Sequence, residues 1–361
     1  MIRRLSDALQ QVRTSKWASL APTLALLSIY VAYIAFVIKA KQGPVDYETF
    51  MRLGRALWEG GEIYVENSYY PLPYVGVFAL FSLLPRPLSM AIWLGGPVLV
   101  ALAVARFRPY ALLFAPVFSH FTGGQSSVFA LLGFFVYRRN LDPSSVLGGA
   151  FLALTSLKPQ LAIVPVGYAL YVWIGAYRAT KRIPRQLISF LVTVGLIYLP
   201  SFLLRPSWLL EWLSVPRPLF GRALSGAVPR FLLFLASPDD SVYWVAWALL
   251  ALAVLGVTWK MKGNSHPLDV LLLASFIVSP LVHDYDLVQV LPTIWGPWMP
   301  IASVVSSLPG WWAITTNYGN DVAWATFAVI APGLLITYIY QCRRGSERKT
   351  GSLIRCGSGP G

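Results

Sequence analysis

The chain alternates between long apolar runs and short polar intervals, and this alternation continues from residue 17 to residue 340. Many of the runs approach the length of about 20 apolar residues that crosses a bilayer as an α-helix. The polar intervals contain the prolines, glycines and charged residues that end helices. The pattern predicts an all-α protein, a polytopic bundle of about 11 to 13 transmembrane helices.

The predicted bundle has an orientation, because lysines and arginines cluster in some intervals and are sparse in others. Basic clusters at residues 3–16, 178–185 and 343–349 indicate that both termini are cytoplasmic. The number of predicted crossings between residues 88 and 139 does not allow every basic cluster in this range to lie in the cytoplasm. We therefore predict that residues 110–121 form a re-entrant or half-length segment. We expect residues 1–341 to form one membrane domain and residues 342–361 a polar, disordered cytoplasmic tail.

The first outer loop, residues 40–73, is the most polar interval in this half of the chain. It holds five of the 15 carboxylates, namely Asp46, Glu48, Glu59, Glu62 and Glu66. Its apolar residues recur at helical spacing, and they are Tyr47, Phe50, Met51, Gly54, Leu57 and Trp58. We therefore expect an amphipathic helix that Gly60 and Gly61 terminate, lying in the membrane interface with Phe50 and Trp58 toward lipid.

Composition supports membrane insertion and excludes two other classes of protein. The chain is 56% hydrophobic and 12% charged, whereas soluble proteins average about 25% charged residues. The net charge of +14 comes from short clusters between apolar runs, which orients a membrane protein rather than binding nucleic acid. Both cysteines, Cys342 and Cys356, fall in the predicted cytoplasmic tail, where a disulfide is not expected.

Candidate chemistry lies where ionisable or amide side chains adjoin apolar runs, since such positions are usually functional. Asp46 follows the first span, Gln125 lies in a Gly-Gly-Gln turn, and Lys158 precedes a proline at a span end. His283 with Asp284 and Asp286 ends another span, and the topology places all of these on the outer face. Each has a structural alternative, since Asp46 suits a helix cap, Lys158 can snorkel and Gln125 can satisfy open backbone groups.

Two further interpretations concern metal and phosphate. Asp284 and Asp286 have oxygen ligands suited to a hard cation, although a solvated loop explains the same spacing. Outer arginines, including Arg222, would hold a lipid phosphate or contact headgroups. No P-loop, dinucleotide-binding or zinc-protease motif occurs in the sequence. A phosphate-activated substrate would therefore have to arrive attached to a lipid.

Several short motifs, in this order, resemble the membrane glycosyltransferases of the GT-C class, and specifically glycosyltransferase family 87 (domain of unknown function 2029). That family includes a phosphatidylinositol-mannoside mannosyltransferase. The matching elements are Asp46 with Phe50, Gly60-Gly61 with Tyr64, Tyr70-Pro71, Gly124-Gln125, Lys158-Pro159, and Ser279-Pro280 with His283 and Tyr285-Asp286.

The resemblance implies an inverting hexosyltransferase, with a mannosyltransferase as the first expectation. The donor would be a polyprenyl- or dolichol-phosphate sugar, and the acceptor a lipid or lipid-linked glycan on the extracytoplasmic face of the cell membrane. Asp46 would be the catalytic base, Lys158 and His283 would bind the donor phosphate, and no cofactor is expected, while the requirement for a divalent metal is left open. The remaining cavity residues would be Gln125, Tyr70, Asp284, Asp286 and Arg222. A transporter or flippase of a lipid-linked glycan and a non-catalytic scaffold remain the alternatives.

Overall fold

A computed structural model describes residues 16–64, 70–215, 227–232, 235–237, 239–260, 267–279 and 282–293 of the chain. Every regular element in these ranges is helical. The predicted spans after residue 293, the tail and both cysteines lie outside the described residues.

The first half of the described chain contains eight α-helices. They are α1 (Lys16–Ala40), α2 (Val45–Glu59), α3 (Leu72–Ser82), α4 (Arg86–Val104), α5 (Tyr110–Leu113), α6 (Ala115–Gly123), α7 (Val128–Arg139) and α8 (Val146–Leu154). The 3₁₀ turn η1 (Thr155–Leu157) follows. The second half contains α9 (Pro159–Thr180), α10 (Arg185–Leu204), α11 (Trp208–Ser214), α12 (Ala227–Leu232), α13 (Ser241–Lys260), α14 (Pro267–Val278) and the 3₁₀ helix η2 (Asp284–Thr293).

Five helices of the described part are long and apolar enough to cross a membrane, namely α1, α4, α9, α10 and α13. Most of them expose their apolar side chains. Only 6% of the most apolar window of α10 is buried inside the protein. A helix that is apolar on its exposed face requires lipid rather than water around it. The fold is therefore that of a helical, multi-pass membrane protein.

The shorter apolar helices fill the interior. α14 has 12 residues, so it is about 18 Å long, whereas the hydrocarbon core of a bilayer is about 30 Å thick. Most of its side chains are buried. α5 and α6 replace the predicted segment 110–121 by two short helices that meet at Phe114, which agrees with a half-length segment. Helices too short to cross a bilayer are tolerated inside a membrane protein when other protein segments surround them.

A buried ion pair holds two of these short helices together. Arg138, at the end of α7, donates from Nε and Nη2 to the two carboxylate oxygens of Asp269, over 2.6 and 2.5 Å. Asp269 lies in the first turn of α14, so the ion pair connects the carboxyl end of α7 with the amino end of α14. From the sequence alone, the basic clusters between residues 88 and 139, which include Arg138, were expected only to orient the chain in the membrane. The structure shows that Arg138 also neutralises a carboxylate that is 1% exposed.

The amphipathic helix α2 exists with the predicted end, since Gly60 adopts φ +69° after Glu59. Its apolar face packs differently from the prediction. Phe50 is fully buried and stacks on Phe78 of α3 with ring centroids 4.3 Å apart. A Cβ on Gly54 would lie 2.5 Å from the Phe78 backbone, so α2 and α3 are in direct backbone contact. The apolar stripe therefore binds protein, and only Trp58 is more than half exposed.

Candidate active site

The candidate site begins at the first turn of α2, which presents Asp46 to the interior. Pro44 precedes the helix, and no side chain caps its amino end. The alternative of Asp46 as a helix cap is therefore not what the structure shows. Instead, the Asp46 carboxylate accepts a hydrogen bond from the side-chain amide of Gln125, 79 residues further along the chain.

The Gly-Gly-Gln turn after α6 positions this pair. Gly124 adopts φ +67°, which favours glycine, and its carbonyl accepts a 2.8 Å hydrogen bond from the Trp93 indole. A Cβ at this position would lie 3.0 Å from Tyr47 Cβ and 3.2 Å from Pro44 Cβ. The turn therefore rests directly on the start of α2. The contact sets where Asp46 and Gln125 meet.

We expect Gly124→Ala to misplace Asp46 without unfolding the bundle. An added Cβ strains the left-handed backbone by about 1–2 kcal/mol and presses on Pro44 and Tyr47. A displacement of about 1 Å at a reacting group can reduce turnover about 100-fold. The measurement is the transfer activity that the sequence resemblance implies, together with the thermal midpoint, and Gly96→Ala is the control because a Cβ there meets open space. Equal turnover in both variants would contradict the positioning role.

Lys158 forms the cationic part of the site. It immediately precedes α9, and its ammonium donates to Ser127 Oγ over 2.7 Å and to Asp286 Oδ1 in an ion pair. Ser127 in turn donates to the same carboxylate oxygen over 2.6 Å. Lys158 is 8% exposed and Asp286 is fully buried. Snorkelling to the interface is therefore not the conformation of Lys158.

The segment around His283 closes this cluster. The backbone N–H of His283 donates to Asp286 Oδ2 over 3.1 Å. Its imidazole stacks on the Tyr285 ring, with centroids 4.9 Å apart, and the Lys158 ammonium lies 4.6 Å from the centroid of the same Tyr285 ring. Lys158 and the segment of His283 and Asp286, which were predicted from two separate parts of the sequence, therefore lie together.

Tyr70 packs among aromatic rings near both Asp46 and Asp286. Its ring stacks on Tyr74 at 5.0 Å and meets Phe50 edge-on at 4.8 Å. Burial raises the pKa of its hydroxyl, and the charges of Asp46 and Asp286 raise it further. Tyr70 is thus within the electrostatic reach of both carboxylates.

The two carboxylates have opposite electrostatic environments. Burial raises the pKa of Asp46 to about 6, an increase that the Lys158 charge opposes. Asp286 is also buried, which alone would raise its pKa, but the charges of Lys158 and His283 and the hydrogen bonds lower it below the ordinary value. Paired groups whose environments separate their pKa values mark an acid–base site. Asp46 is the group that can exchange a proton near neutral pH, and Asp286 stays ionised.

Two residues of the site were missed by sequence reasoning. Ser127 bridges Lys158 and Asp286, and its only signal was its place two residues after Gln125 at the start of an apolar run. His120 was overlooked because it lies within an apolar segment. Its Nε2 accepts a hydrogen bond from the Val128 backbone over 3.1 Å, so this nitrogen is unprotonated and holds the polar turn in place.

Several predicted residues cannot be placed. Arg222 lies outside the described residues, and so does the side chain of Asp284. Across the part of the chain that the structure describes, no group of three or more His, Cys, Asp or Glu side chains could hold a metal ion. The described site consists of Asp46 and Gln125 on one side and Lys158, Ser127 and Asp286 on the other. Tyr70, Tyr285 and His283 adjoin them.

Comparison of the chain with protein-family models, curated proteins and solved structures found no match.

Proposed function

We propose that this chain is an integral-membrane glycosyltransferase of the GT-C class that uses a polyprenyl- or dolichol-phosphate sugar. Mannose is the first candidate sugar, and a lipid or lipid-linked glycan is the acceptor. The reaction would take place on the extracytoplasmic side, with both termini in the cytoplasm. The proposal depends on one observation above the others, which is that Asp46, bound to Gln125, lies within electrostatic reach of the buried Lys158–Asp286 ion pair.

In the proposed reaction Asp46 acts as the general base. Its carboxylate takes the proton of the acceptor hydroxyl as that oxygen attacks the anomeric carbon of the donor sugar. The bond between this carbon and the phosphate oxygen breaks, and the lipid phosphate leaves as an anion. Attack opposite to the leaving group inverts the anomeric configuration. Gln125 holds the carboxylate in place during the transfer.

Lys158 is suited to stabilise the phosphate that leaves. An ammonium has three N–H donors, and two of them already bind Ser127 and Asp286. The third is available for a phosphate oxygen. The contacts with Asp286 and Ser127 orient the Lys158 ammonium before substrate binds. Preorganised cations at the site of developing negative charge lower a transition state without reorganisation. His283 adjoins this position and would assist.

The alternative function, transport or flipping of a lipid-linked glycan, is favoured by the buried Lys158–Asp286 pair, since such pairs also line pathways in transporters. A transferase breaks the sugar–phosphate bond, and a flippase leaves it intact. The two functions therefore predict different products from the same donor.

The test is a donor screen with purified protein in liposomes. Polyprenyl-phosphate sugars radiolabelled in the sugar are supplied with extracted membrane lipids as acceptors, and the products are separated by chromatography. We expect label to move from the donor to a new lipid, with mannose as the preferred sugar. Label that crosses the bilayer while remaining on the donor would establish transport instead.

The pH dependence of transfer provides a separate prediction. The base must be deprotonated, so activity should rise as the pH increases through about 6, the pKa of Asp46. The Lys158 charge lowers this pKa, and its removal should shift the acidic limb to higher pH. We would measure kcat/KM against pH for the wild type and for Lys158→Met, below the thermal midpoint of the variant. An acidic limb that stays in place in Lys158→Met would contradict the coupling.

A further inference from the structure

A second polar site lies on the other side of α2 from the Asp46–Gln125 contact. It is an open crevice between one face of α2, the end of α3 with the turn that follows it, and the first turn of α4. Its lining is Tyr47, Glu48, Met51, Arg55, Phe81, Ser82, Leu84, Arg86 and Ser89. Neither sequence analysis nor the proposed reaction uses this crevice.

Two arginines define its electrostatics. Both Arg55 and Arg86 line the crevice, and the charge of each acts on the Tyr47 hydroxyl. Glu48 is the acidic residue of the lining, which leaves a surplus of one positive charge. Arg55 is exposed and makes no ion pair or hydrogen bond with the described part of the chain.

Arg86 is held in a fixed orientation. Its Nη2 donates to the Lys41 carbonyl over 2.9 Å and to the Glu48 carboxylate, and Glu48 also accepts from the Gly43 backbone over 2.8 Å. These contacts use two of the five N–H donors of a guanidinium. Three donors remain on a side chain that is 42% exposed. Such a preoriented guanidinium is suited to bind phosphate through paired hydrogen bonds.

The floor of the crevice is polar but already satisfied. The Tyr47 hydroxyl donates to Ser89 Oγ over 3.0 Å, and the Ser89 hydroxyl points to Met51 Sδ at 3.5 Å. An anion in the crevice would therefore depend on the arginines at the rim. Their removal should weaken binding without disturbing the floor.

The surroundings indicate a lipid rather than a soluble anion. Phe81 and Leu84 form an apolar wall of the crevice. Exposed leucines continue from this wall along the end of α3 and the start of α4, and these are Leu80, Leu83 and Leu88. A free phosphate ion gains nothing from such a surface, whereas acyl chains attached to a headgroup would cover it. Basic pockets between membrane helices are known binding sites for anionic headgroups.

We propose that the crevice between Arg55 and Arg86 binds the phosphodiester headgroup of one anionic phospholipid, whose acyl chains lie against the leucines of α3 and α4. The site does not depend on the glycosyltransferase proposal. The bound phospholipid would contact α2, the helix that carries Asp46.

The test measures lipid binding by native mass spectrometry of the purified full chain, titrated with phosphatidylglycerol or phosphatidylcholine of identical acyl chains. We expect tighter binding of phosphatidylglycerol, and we expect Arg55→Gln to weaken it roughly fivefold, the contribution typical of one basic side chain. Arg52→Gln is the matched control. This substitution removes the same charge from an exposed position on α2 that does not line the crevice. The affinity of the Arg52→Gln variant for phosphatidylglycerol should therefore stay near that of the wild type.

A second variant separates lipid binding from structural damage. Glu48→Gln keeps an oxygen acceptor for Gly43 but removes the negative charge, so phosphatidylglycerol should bind more tightly. Weaker binding in this variant, or equal losses in Arg55→Gln and Arg52→Gln, would overturn the proposal. So would inorganic phosphate or glycerol 3-phosphate binding as tightly as the intact lipid. Asp46→Asn should bind phosphatidylglycerol like the wild type, so loss of transfer and loss of lipid binding can be distinguished.

Discussion

Replacing Asp46 with Asn is expected to reduce glycosyl transfer by about 100- to 10,000-fold, the range that a positioned general base contributes. Asparagine has nearly the same shape and can still hydrogen-bond to Gln125, but it cannot take a proton from the acceptor hydroxyl. The buried carboxylate carries an unfavourable desolvation, so its removal should not lower stability. The measurement is kcat with a saturating polyprenyl-phosphate sugar, together with the thermal midpoint.

The control for this prediction is Glu59→Gln. It removes a carboxylate from the exposed end of the same helix, outside the site, and should leave kcat unchanged. Substantial turnover by a folded Asp46→Asn protein would remove Asp46 from the role of base. Equal losses in both variants would attribute the effect to α2 as a whole.

The second large effect is expected at the Lys158–Asp286 pair. Lys158→Met leaves the fully buried Asp286 carboxylate without its counter-ion, and breaking a buried pair from one side typically costs about 3–5 kcal/mol. We therefore expect a large decrease in the thermal midpoint in detergent. Lys39→Met, a change of the same kind at an exposed position in the last turn of α1, should have little effect.

A double variant distinguishes structural from catalytic consequences. Replacing both members by apolar residues, Lys158→Met with Asp286→Leu, removes the uncompensated charge and should restore most of the stability. Transfer should remain low, because no cation then faces the departing phosphate. Recovery of transfer together with stability would show that the pair has only a structural role.

The candidate site shows what the place of a residue in the sequence does and does not predict. Asp46, Gln125, Lys158 and Asp286 attract attention because each is a polar side chain beside an apolar run, where desolvation makes an idle polar group costly. That argument selects residues one at a time. It does not predict that Gln125 would bind Asp46, or that Lys158 would bind Asp286, because the partners lie 79 and 128 residues apart in the chain.

The same limit explains the error about α2. Helical periodicity correctly predicted an apolar stripe and the end at Gly60, since both follow from local geometry. It could not distinguish a stripe that faces lipid from one that faces protein. Phe50 is covered by Phe78 and by other aromatic rings, and that arrangement depends on where α3 and α4 pack.

The sequence by itself determined the helical membrane class, the amphipathic helix that ends at Gly60 and the polar residues worth examining, because hydrophobic length and helix-ending residues act locally. Only the tertiary structure decided which charges are neutralised and which remain reactive. Arg138 and Asp286 each lie within hydrogen-bond distance of a side chain of opposite charge. Asp46 instead accepts a hydrogen bond from the neutral amide of Gln125, and burial raises its pKa. Electrostatic energy depends on distance in space, which spacing along the chain does not specify.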